Sequence, residues 1–577
     1  MPTATRERPS PWRGALERLT AVARAVEQRA DVLLGRVEAF AAPFRDPPPV
    51  PSPYRADDPE VRRRLRIHAL AGTIGSGLAV LGASLPSSPF TEKVPPHDPA
   101  YTPPWFFGGT QSPPTVIIGL HTPPGTSFYV ALVTFYGGLI LLMGSWIRLA
   151  RLAREHPDLP LRTLAAVMAL WTLPMLFVEP LLSKDANSYV AEGEMMSYHI
   201  SPYRYGPEIL GMGANSYTIL SDKLWWYSVS PYGPGFLALG GVIQDVVGHS
   251  ELGALVLWRL VALVGVALIA VSIPRLTRSI GRPVAPAFVF AVMNPIVVIH
   301  LIGGEHNDAL MLGLMLAGLA LARERHPVLG CVLVAMATMV KVPAAVGAIY
   351  IGWDWIGDGP HSLRERLPGL AKAGAVSLAV VAAVTQAVGI GWGWVTGLTN
   401  PDAVRSYLDP MTAVGLGLGK LAHALGHGGV AQLMLTIARG TGAAAAIAIG
   451  LVLLFRSTGG ASSLRALGLT MLAVVLLGPV MQPWYLAWSV VLLAPVVERR
   501  LRGAILWLTV LVTFLALGDE QYLATELLIA NPFVVAAASL GLLALLVAPL
   551  VPKLRRGLAA LRAGRAGDEA ALKQAAL

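Results

Sequence analysis

The chain is poor in charged residues and almost free of cysteine. Only 14% of its 577 residues are Asp, Glu, Lys or Arg, whereas soluble domains carry roughly 25%, so a soluble globular enzyme and a disordered chain are both excluded. The single cysteine, Cys331, excludes an intrachain disulfide and a cysteine-based metal site. Apolar residues make up 54% of the chain instead. This composition predicts an all-α polytopic membrane protein.

Long apolar segments recur along the chain and predict about fourteen crossings of a hydrocarbon layer about 30 Å thick. The long segments are 66–86, 126–149, 161–182, 252–273, 284–302, 367–390, 431–455 and 531–551. The shorter ones are 307–322, 327–340, 342–356, 464–480, 483–497 and 502–518. The segment 233–247 is also apolar. We expect a re-entrant or interfacial helix there, because a further crossing would invert the charge pattern of every later loop.

Basic residues gather in alternate loops, and this pattern predicts the orientation of the chain. Arginine clusters such as 62–66, 148–162 and 499–502 fall on one side, which the positive-inside rule identifies as the cytoplasmic side of the plasma membrane. Both termini are therefore expected in the cytoplasm. Because the net charge of +10 resides largely in these clusters, we expect membrane lipids as partners and no nucleic acid.

The same pattern divides the chain into three parts. Residues 1–60 are predicted to form a cytoplasmic amphipathic helix and a Pro-rich linker, residues 61–552 a transmembrane domain, and residues 553–577 a cytoplasmic tail. Within the transmembrane domain, residues 182–252 form the longest outer loop. Long loops on a rigid scaffold often carry function, so this loop is the first place to look for a site.

The outer loop opens with Lys184 and Asp185, where the third crossing ends. A carboxylate at that boundary, partly withdrawn from water, has the character of a general base; the alternative is a solvated carboxylate that caps the next helix. The acidic and aromatic residues that follow fit contacts with sugar rings or an interfacial aromatic belt. The candidates for substrate contact in this loop are Lys184, Tyr189, Glu192, Tyr203 and Tyr232.

A second polar group lies in the outer turn 303–308, whose sequence is Gly-Gly-Glu-His-Asn-Asp. We expect its polar side chains to hydrogen-bond hydroxyl groups or to orient Asp185, with turn capping as the alternative. The order of His306, Asn307 and Asp308 matches no familiar spacing of metal ligands. No metal site is therefore assigned.

The remaining candidates also map to the outer face. Another outer turn contributes Gln482, Trp484 and Tyr485, for which interfacial anchoring is the alternative role. Lys341 lies between two short apolar segments, so we expect it at the tip of a V near the outer surface. Together with Arg259 and Arg439, it is predicted to form a cationic site for a lipid phosphate.

Several separated segments resemble one known family. They read KDANSYVAEGEMMSYHISPYRYGP, SPYGPGFLALGGVI, NPIVVIHLIGGEHNDALMLGLMLAG, ATMVKVPAAV and MQPWYLAW. In this order they resemble the actinobacterial polyprenol-phosphomannose-dependent α-1,6-mannosyltransferases, and among these the MptB-like enzymes that act in lipomannan and lipoarabinomannan assembly. The resemblance covers roughly residues 60–550 and leaves both ends of the chain outside it.

The resemblance implies the GT-C fold, with many transmembrane helices and a large first outer loop that carries interfacial helices. It implies a polyprenyl-phosphate-mannose donor, a mannan or lipoglycan acceptor, and Asp185 as the catalytic residue at the head of the loop. It also implies that the tyrosines of the loop contact sugar. One displacement at the anomeric carbon would invert its configuration. No cofactor is required, and a divalent metal is allowed but not needed.

Two other functions compete with this interpretation. A transporter or flippase for a lipid-linked sugar would also use broken helices and an intramembrane arginine. It should show related repeats in its two halves, which we do not find, and its polar groups should lie near the bilayer midplane rather than at the outer face. Another GT-C enzyme, an α-1,2-mannosyltransferase or an arabinosyltransferase, would differ in acceptor and linkage instead of architecture.

Overall fold

The computed structural model describes residues 58–85, 88–90, 124–213, 217–397, 404–405 and 409–515, and within these ranges it contains helices and no strand. The α-helices are α1 Pro59–Ser84, α2 Pro124–Glu155, α3 Leu161–Thr172, α4 Asp185–Ser197, α5 Tyr217–Leu220, α6 Pro234–Val247, α7 Glu251–Ser279, α8 Val284–Ala291, α9 Asp308–Arg323, α10 Pro327–Thr338, α11 Val346–Trp353, α12 Leu363–Val388, α13 Gly393–Gly397, α14 Pro410–Ala424, α15 Ala431–Arg456, α16 Gly460–Leu477, α17 Leu486–Leu493 and α18 Arg499–Leu515. The 3₁₀-helices are Leu173–Phe177, Pro207–Leu210, Lys223–Trp225, Val342–Ala345, Gly428–Val430 and Pro483–Tyr485, and Val297–Gly303 is a π-helix.

The ends of the long helices follow from local sequence signals. Helix α7 begins after Ser250, whose hydroxyl accepts a hydrogen bond from Gly253 N at 3.2 Å. Helix α12 begins with a capping box between Ser362 and Glu365 and ends at Gly389, which has a φ of 76°. These caps satisfy backbone groups that have no partner inside the helix, so they define where each apolar segment starts and stops.

Six of the described helices are long and apolar enough to cross a membrane, and they support the prediction of an all-α membrane protein. They are Pro59–Ser84, Phe128–Glu155, Glu251–Ser279, Leu363–Val388, Gly428–Arg456 and Gly460–Leu477. Six shorter apolar helices accompany them. The fourteen crossings and the GT-C fold stay predictions. The predicted segment 531–551, the tail 553–577 and residues 1–57 lie outside the described residues.

Two predicted crossings are interrupted in the structure. The segment 284–302 was expected to form one helix, but α8 ends at Ala291 and a π-helix starts at Val297. The break falls at Asn294 and Pro295: the Asn294 side chain accepts a hydrogen bond from Ile296 N at 2.9 Å, and proline cannot donate to the helix ladder. In the same way, α3 ends at Thr172 and a 3₁₀-helix with Pro174 in its first turn follows from Leu173, so 161–182 is not one regular helix.

Helix α6 occupies the apolar segment 233–247 and packs closely against α4. A Cβ atom on Gly193 would lie 2.7 Å from the Gly240 carbonyl oxygen, so the two helices meet where neither has a side chain. The Gln244 amide also donates to the Val190 carbonyl at 3.0 Å. The apolar segment therefore forms a helix beside α4, while its re-entrant or interfacial character stays a prediction.

The start of α6 is attached to the end of α10. Gly233 N donates to the Val340 carbonyl at 3.2 Å, and Phe236 N donates to the Met339 carbonyl at 3.1 Å. These bonds satisfy amides at the beginning of α6 that have no acceptor within it. The outer loop and the segment that leads into Lys341 are consequently joined through their backbones.

Helices α7 and α9 approach each other through small residues. A Cβ atom on Gly313 would lie 2.4 Å from the Gly265 carbonyl oxygen. Close backbone contact through small residues is a common way for helices to pack in membranes. The contact fixes the level of α9 against α7, and so it fixes the position of Asp308, where α9 begins.

Candidate active site

Asp185 is the first residue of α4 and lies beside the turn 303–308. Its backbone N donates to the Ser183 hydroxyl at 3.1 Å, and its Oδ2 lies 3.2 Å from His306 Nδ1. The Tyr189 hydroxyl, one helical turn further, lies 3.5 Å from the same oxygen. The side chain keeps 13% of its surface exposed, so its carboxylate remains accessible to a substrate.

His306 is held between Asp185 and an aromatic ring. Its imidazole stacks on Trp484 with the ring centroids 3.6 Å apart and the planes 17° apart. The residue has no exposed surface, and Nε2 has no hydrogen-bond partner among the described residues. Because His306 is enclosed, only the Asp185 carboxylate of this pair has atoms that a substrate can reach. His306 lies on the buried side of that carboxylate and contacts it through Nδ1.

The surroundings keep Asp185 ionised. Burial acts to raise its pKa, but the hydrogen bond and charge of His306, the charge of Lys341 and the hydrogen bond with Ser183 together outweigh burial and hold the pKa below its usual value. At neutral pH the group is therefore a carboxylate. A carboxylate can accept a proton from a hydroxyl group but cannot donate one.

Lys341 and Asp308 form an ion pair next to this dyad. Lys341 Nζ lies 2.9 Å and 3.1 Å from the two carboxylate oxygens of Asp308, which is fully buried. Trp488 Nε1 donates to Asp308 Oδ1 at 2.5 Å, and the Tyr485 ring lies 4.6 Å below Lys341 Nζ. Lys341 also donates to Asn307 Oδ1 at 3.4 Å. Its side chain stays 12% exposed, so its charge can still meet a ligand.

Tyr189 is a buried aromatic residue that the sequence placed among the sugar contacts. Its ring makes edge contacts with Tyr232, Phe236 and Trp258, at centroid distances of 5.0–5.5 Å. Only 1% of the residue is exposed, so the ring offers no face on which a sugar could stack. Its contact with the substrate stays a prediction; in the structure its hydroxyl accepts a hydrogen bond from Asn307 N at 3.4 Å.

Glu192 lies two turns after Asp185 on the same face of α4, since seven residues make nearly two helical turns. It is 7% exposed, and one carboxylate oxygen has no hydrogen-bond partner among the described residues. Its pKa is raised to about 8: burial is the largest cause, the hydrogen bond with Ser230 opposes it, and the charge of Asp185 adds to the rise. At neutral pH Glu192 is thus a neutral acid that can donate a hydrogen bond.

The other predicted contacts surround these groups. The Tyr203 hydroxyl donates to the Tyr232 carbonyl at 2.7 Å, and Tyr232 is half-buried beside Tyr189. Lys184 and Gln482 are 7% and 4% exposed. These residues lie within the framework of the site, and their contacts with sugar stay predictions.

The three predicted phosphate ligands have different partners in the structure, and a shared phosphate site stays a prediction. Arg259 is 3% exposed, forms an ion pair with Glu305 at 2.5 Å and donates to the Met175 carbonyl at 2.7 Å. Arg439 donates to the Thr412 hydroxyl at 2.9 Å and to the Val404 carbonyl. Buried arginines with such partners stabilise the chain around them, and of the three Lys341 is the cation that acts on Asp185.

Trp488 was not a candidate in the sequence analysis, and Glu305 was considered there only with the other polar side chains of the turn 303–308. Trp488 anchors Asp308, and Glu305, which adopts a positive φ of 56°, pairs with Arg259. Trp488 follows Trp484 by one helical turn in the segment MQPWYLAW, and this spacing on one face was the signal available. Among the described residues, no three His, Cys, Asp or Glu side chains converge as metal ligands.

Two family models match the chain. Residues 107–357 match the family of the α-(1→6)-mannopyranosyltransferase N-terminal domain, and residues 411–548 match the MptB C-terminal domain. The first match contains Asp185, His306 and Lys341, and the second contains Trp484. No solved structure matches the chain.

Named relatives are found in mycobacteria and corynebacteria. A probable α-(1→6)-mannopyranosyltransferase of Mycolicibacterium smegmatis is 32% identical over 493 residues, which cover 79% of this chain and 83% of the relative. The α-(1→6)-mannopyranosyltransferase A of Mycobacterium tuberculosis is 32% identical over 66% of this chain and 76% of its own length. The α-(1→6)-mannopyranosyltransferase B of Corynebacterium glutamicum is 28% identical over 63% and 65%, respectively. The chain belongs to the α-(1→6)-mannopyranosyltransferase family.

Proposed function

We propose that the protein transfers mannose from a polyprenyl-phosphate-mannose donor to a growing α-1,6-mannan, the core of lipomannan and lipoarabinomannan. The reaction takes place on the outer face of the plasma membrane, with both termini in the cytoplasm. The observation that carries the proposal is the accessible carboxylate of Asp185, backed by His306 and next to the Lys341 cation. A base beside a cation is what transfer from a sugar phosphate requires.

Asp185 is the general base in this reaction. The acceptor 6-hydroxyl donates its proton to the carboxylate while its oxygen bonds to the anomeric carbon of the donor. The bond between that carbon and the donor phosphate breaks at the same time, and the phosphate leaves with the bonding electrons. Since the two events occur on opposite faces of the carbon, a β-linked donor gives an α-linked product.

Lys341 stabilises the charge that develops on the departing phosphate. The ion pair with Asp308 and the rings of Tyr485 and Trp488 hold the ammonium group in place before the reaction begins. A preorganised cation in a poorly hydrated site stabilises new negative charge without the cost of reorganising solvent. Asp185 thus acts on the attacking hydroxyl group, and Lys341 acts on the leaving phosphate.

Glu192 binds a hydroxyl group of the sugar chain. Its axial distance from Asp185 is about 10 Å, given a rise of 1.5 Å per residue, and this distance suits a sugar unit next to the reacting one. As a neutral acid, it donates a hydrogen bond to a hydroxyl oxygen. Tyr203 and Tyr232, which are joined by a hydrogen bond, form the wall beside it.

The test compares mannose transfer from radiolabelled polyprenyl-phosphate-mannose to a short α-1,6-mannoside by purified wild type, Asp185→Asn and Asp245→Asn. Asp245 is an exposed carboxylate of the same outer loop and serves as the matched control. We expect Asp185→Asn to lose 10²–10⁴-fold in kcat, on the order of a general-base contribution, and Asp245→Asn to keep wild-type activity. Full transfer by a folded Asp185→Asn protein would exclude Asp185 as the base, and absence of transfer by wild type would exclude this donor or acceptor.

A further inference from the structure

A second cavity lies at the other end of α9, away from Asp185. It has a volume of about 570 Å³, within the range of small-molecule binding sites. It is bounded by the ends of α7, α9 and α11 and by the beginnings of α10 and α16. Asp308 starts α9 and Arg323 ends it, so the cavity lies about 22 Å from the catalytic turn along the helix.

The lining of this cavity is divided into apolar and polar parts. The apolar side chains include Leu276, Ile280, Leu319, Ile351, Leu464 and Leu467. The polar ones include Ser279, Arg323, Arg325, Tyr350, Asp354, Asp358 and Ser463. A cavity with one apolar and one polar portion matches the shape of a lipid, whose aliphatic chain and headgroup need different surroundings.

The carboxylates of the lining already have partners. Asp358 accepts two hydrogen bonds from Arg323, at 2.5 Å and 2.9 Å. Asp354 accepts a hydrogen bond from the Ser463 hydroxyl at 2.6 Å. These contacts reduce the negative potential that the carboxylates contribute to the cavity.

The arginines around the mouth are different. Arg325 lines the cavity, is exposed and has no side-chain partner among the described residues. Arg278 and Arg282 are also exposed and without a side-chain partner in this part of the chain, and the ion pair between Arg275 and Glu324 joins their helix end to that of Arg325. The mouth therefore carries an excess of positive charge.

We propose that this cavity binds the phosphate headgroup of an anionic glycerophospholipid from the surrounding bilayer. The unpaired guanidinium groups match the charge of the phosphate, and guanidinium forms forked hydrogen bonds with phosphate oxygens. Basic pockets between membrane helices bind lipid headgroups in this way. The distance to Asp185 excludes the mannose donor as a reacting occupant, so the cavity is a second lipid site, independent of the proposed catalytic function.

The experiment is a lipid titration of the purified full-length protein in detergent, read by native mass spectrometry. The probes are dioleoyl-phosphatidylglycerol and dioleoyl-phosphatidylcholine. We expect the anionic lipid to bind at least about fivefold more tightly, and Arg325→Glu to lower its affinity by about fivefold or more, in line with the contribution of one basic residue near a charged headgroup. Arg66→Glu, an identical charge change on exposed α1 surface, is the matched control and should leave the affinity unchanged.

A second variant tests the cavity itself. Ser279→Trp places a large ring in the mouth, where Ser279 is exposed, and we expect it to reduce binding of phosphatidylglycerol by at least about fivefold while the protein stays folded. Equal binding of the two lipids would overturn the proposal, as would equal effects of Arg325→Glu and Arg66→Glu. Competition by millimolar inorganic phosphate would point to a site for free phosphate and would also overturn it. None of these experiments measures mannose transfer. A failure of the lipid-binding proposal can therefore be told apart from a failure of the proposed transferase function.

Discussion

The two ends of α9 each carry an ion pair, one buried and one exposed. At its start, Asp308 is completely buried and meets Lys341 and Trp488. At its end, Arg323 pairs with Asp358, and the two side chains are 23% and 50% exposed. A buried pair is costly to assemble and strongly destabilising to break, whereas an exposed pair contributes little and is screened by salt. The contrast indicates that the first pair is part of the buried candidate site, whereas the second pair lies at the surface of the chain.

The strongest test of this contrast removes one partner of the buried pair. In Asp308→Ala, Lys341 loses its counter-ion, and we expect the free energy of unfolding to fall by about 3–5 kcal/mol. Thermal unfolding in detergent measures the change. The double variant Asp308→Ala/Lys341→Met should recover much of the stability, because no uncompensated charge remains, but it should not recover mannose transfer. Equal stability of the single and double variants would contradict the assignment.

The pH profile tests the pair of carboxyl groups on α4. The pKa of Asp185 is lowered, so transfer should persist as pH falls to the usual range of aspartate. The pKa of Glu192 is about 8, so the hydrogen-bond donor is lost as pH rises through that value, and transfer should decline there. The raised pKa of Glu192 also makes the free energy of unfolding depend on pH. In the unfolded chain Glu192 loses its proton near the ordinary glutamate pKa, whereas in the folded chain it keeps the proton up to about pH 8. The free energy of unfolding therefore falls as pH rises from the ordinary glutamate pKa to about 8.

Two variants separate Glu192 from its neighbours in this profile. Glu192→Gln keeps a neutral donor, so the decline of transfer near pH 8 should disappear. Glu194→Gln changes a carboxylate of the same helix that contacts His249, and it should leave the decline in place. If the decline persists in Glu192→Gln, another group causes it.

The smallest effect is expected at the end of α9. Asp358→Ala breaks a partly exposed pair, and the free energy of unfolding should change by about 0–1 kcal/mol. High salt should reduce even this difference, since exposed charges are screened. Unfolding midpoints at low and high ionic strength measure it. A loss as large as that of Asp308→Ala would remove the distinction between the two ends.

Much of the architecture could be predicted, because apolar length and capping residues are local signals. Most helices of the described residues follow the predicted apolar segments, but α4, α5, α13 and α14 lie outside them. The interruptions at Pro174 and Pro295 were missed. Both prolines were visible in the sequence, but the apolar character of the segments suggested continuous helices.

The sequence indicated which residues lie near the candidate site, but not which of them contact each other. Asp185, His306 and Trp484 come from three distant segments, and topology alone suggested that they share a face. Which side chains pair depends on close helix contacts such as that between Gly265 and Gly313, and no local pattern encodes these. The partners of Arg259, which are Glu305 and the backbone carbonyl of Met175, could not be predicted from residue types.

The backbone bonds between α6 and the end of α10 have a mechanical consequence. Gly233 and Phe236 are tied to the two residues that precede Lys341 by one and two positions. Any displacement of α6 that widens the outer loop for a bulky glycan must pull on this segment, and with it on the ammonium group near Asp185. Under the proposed function, entry of the acceptor and placement of the Lys341 charge would then be coupled through these two backbone hydrogen bonds.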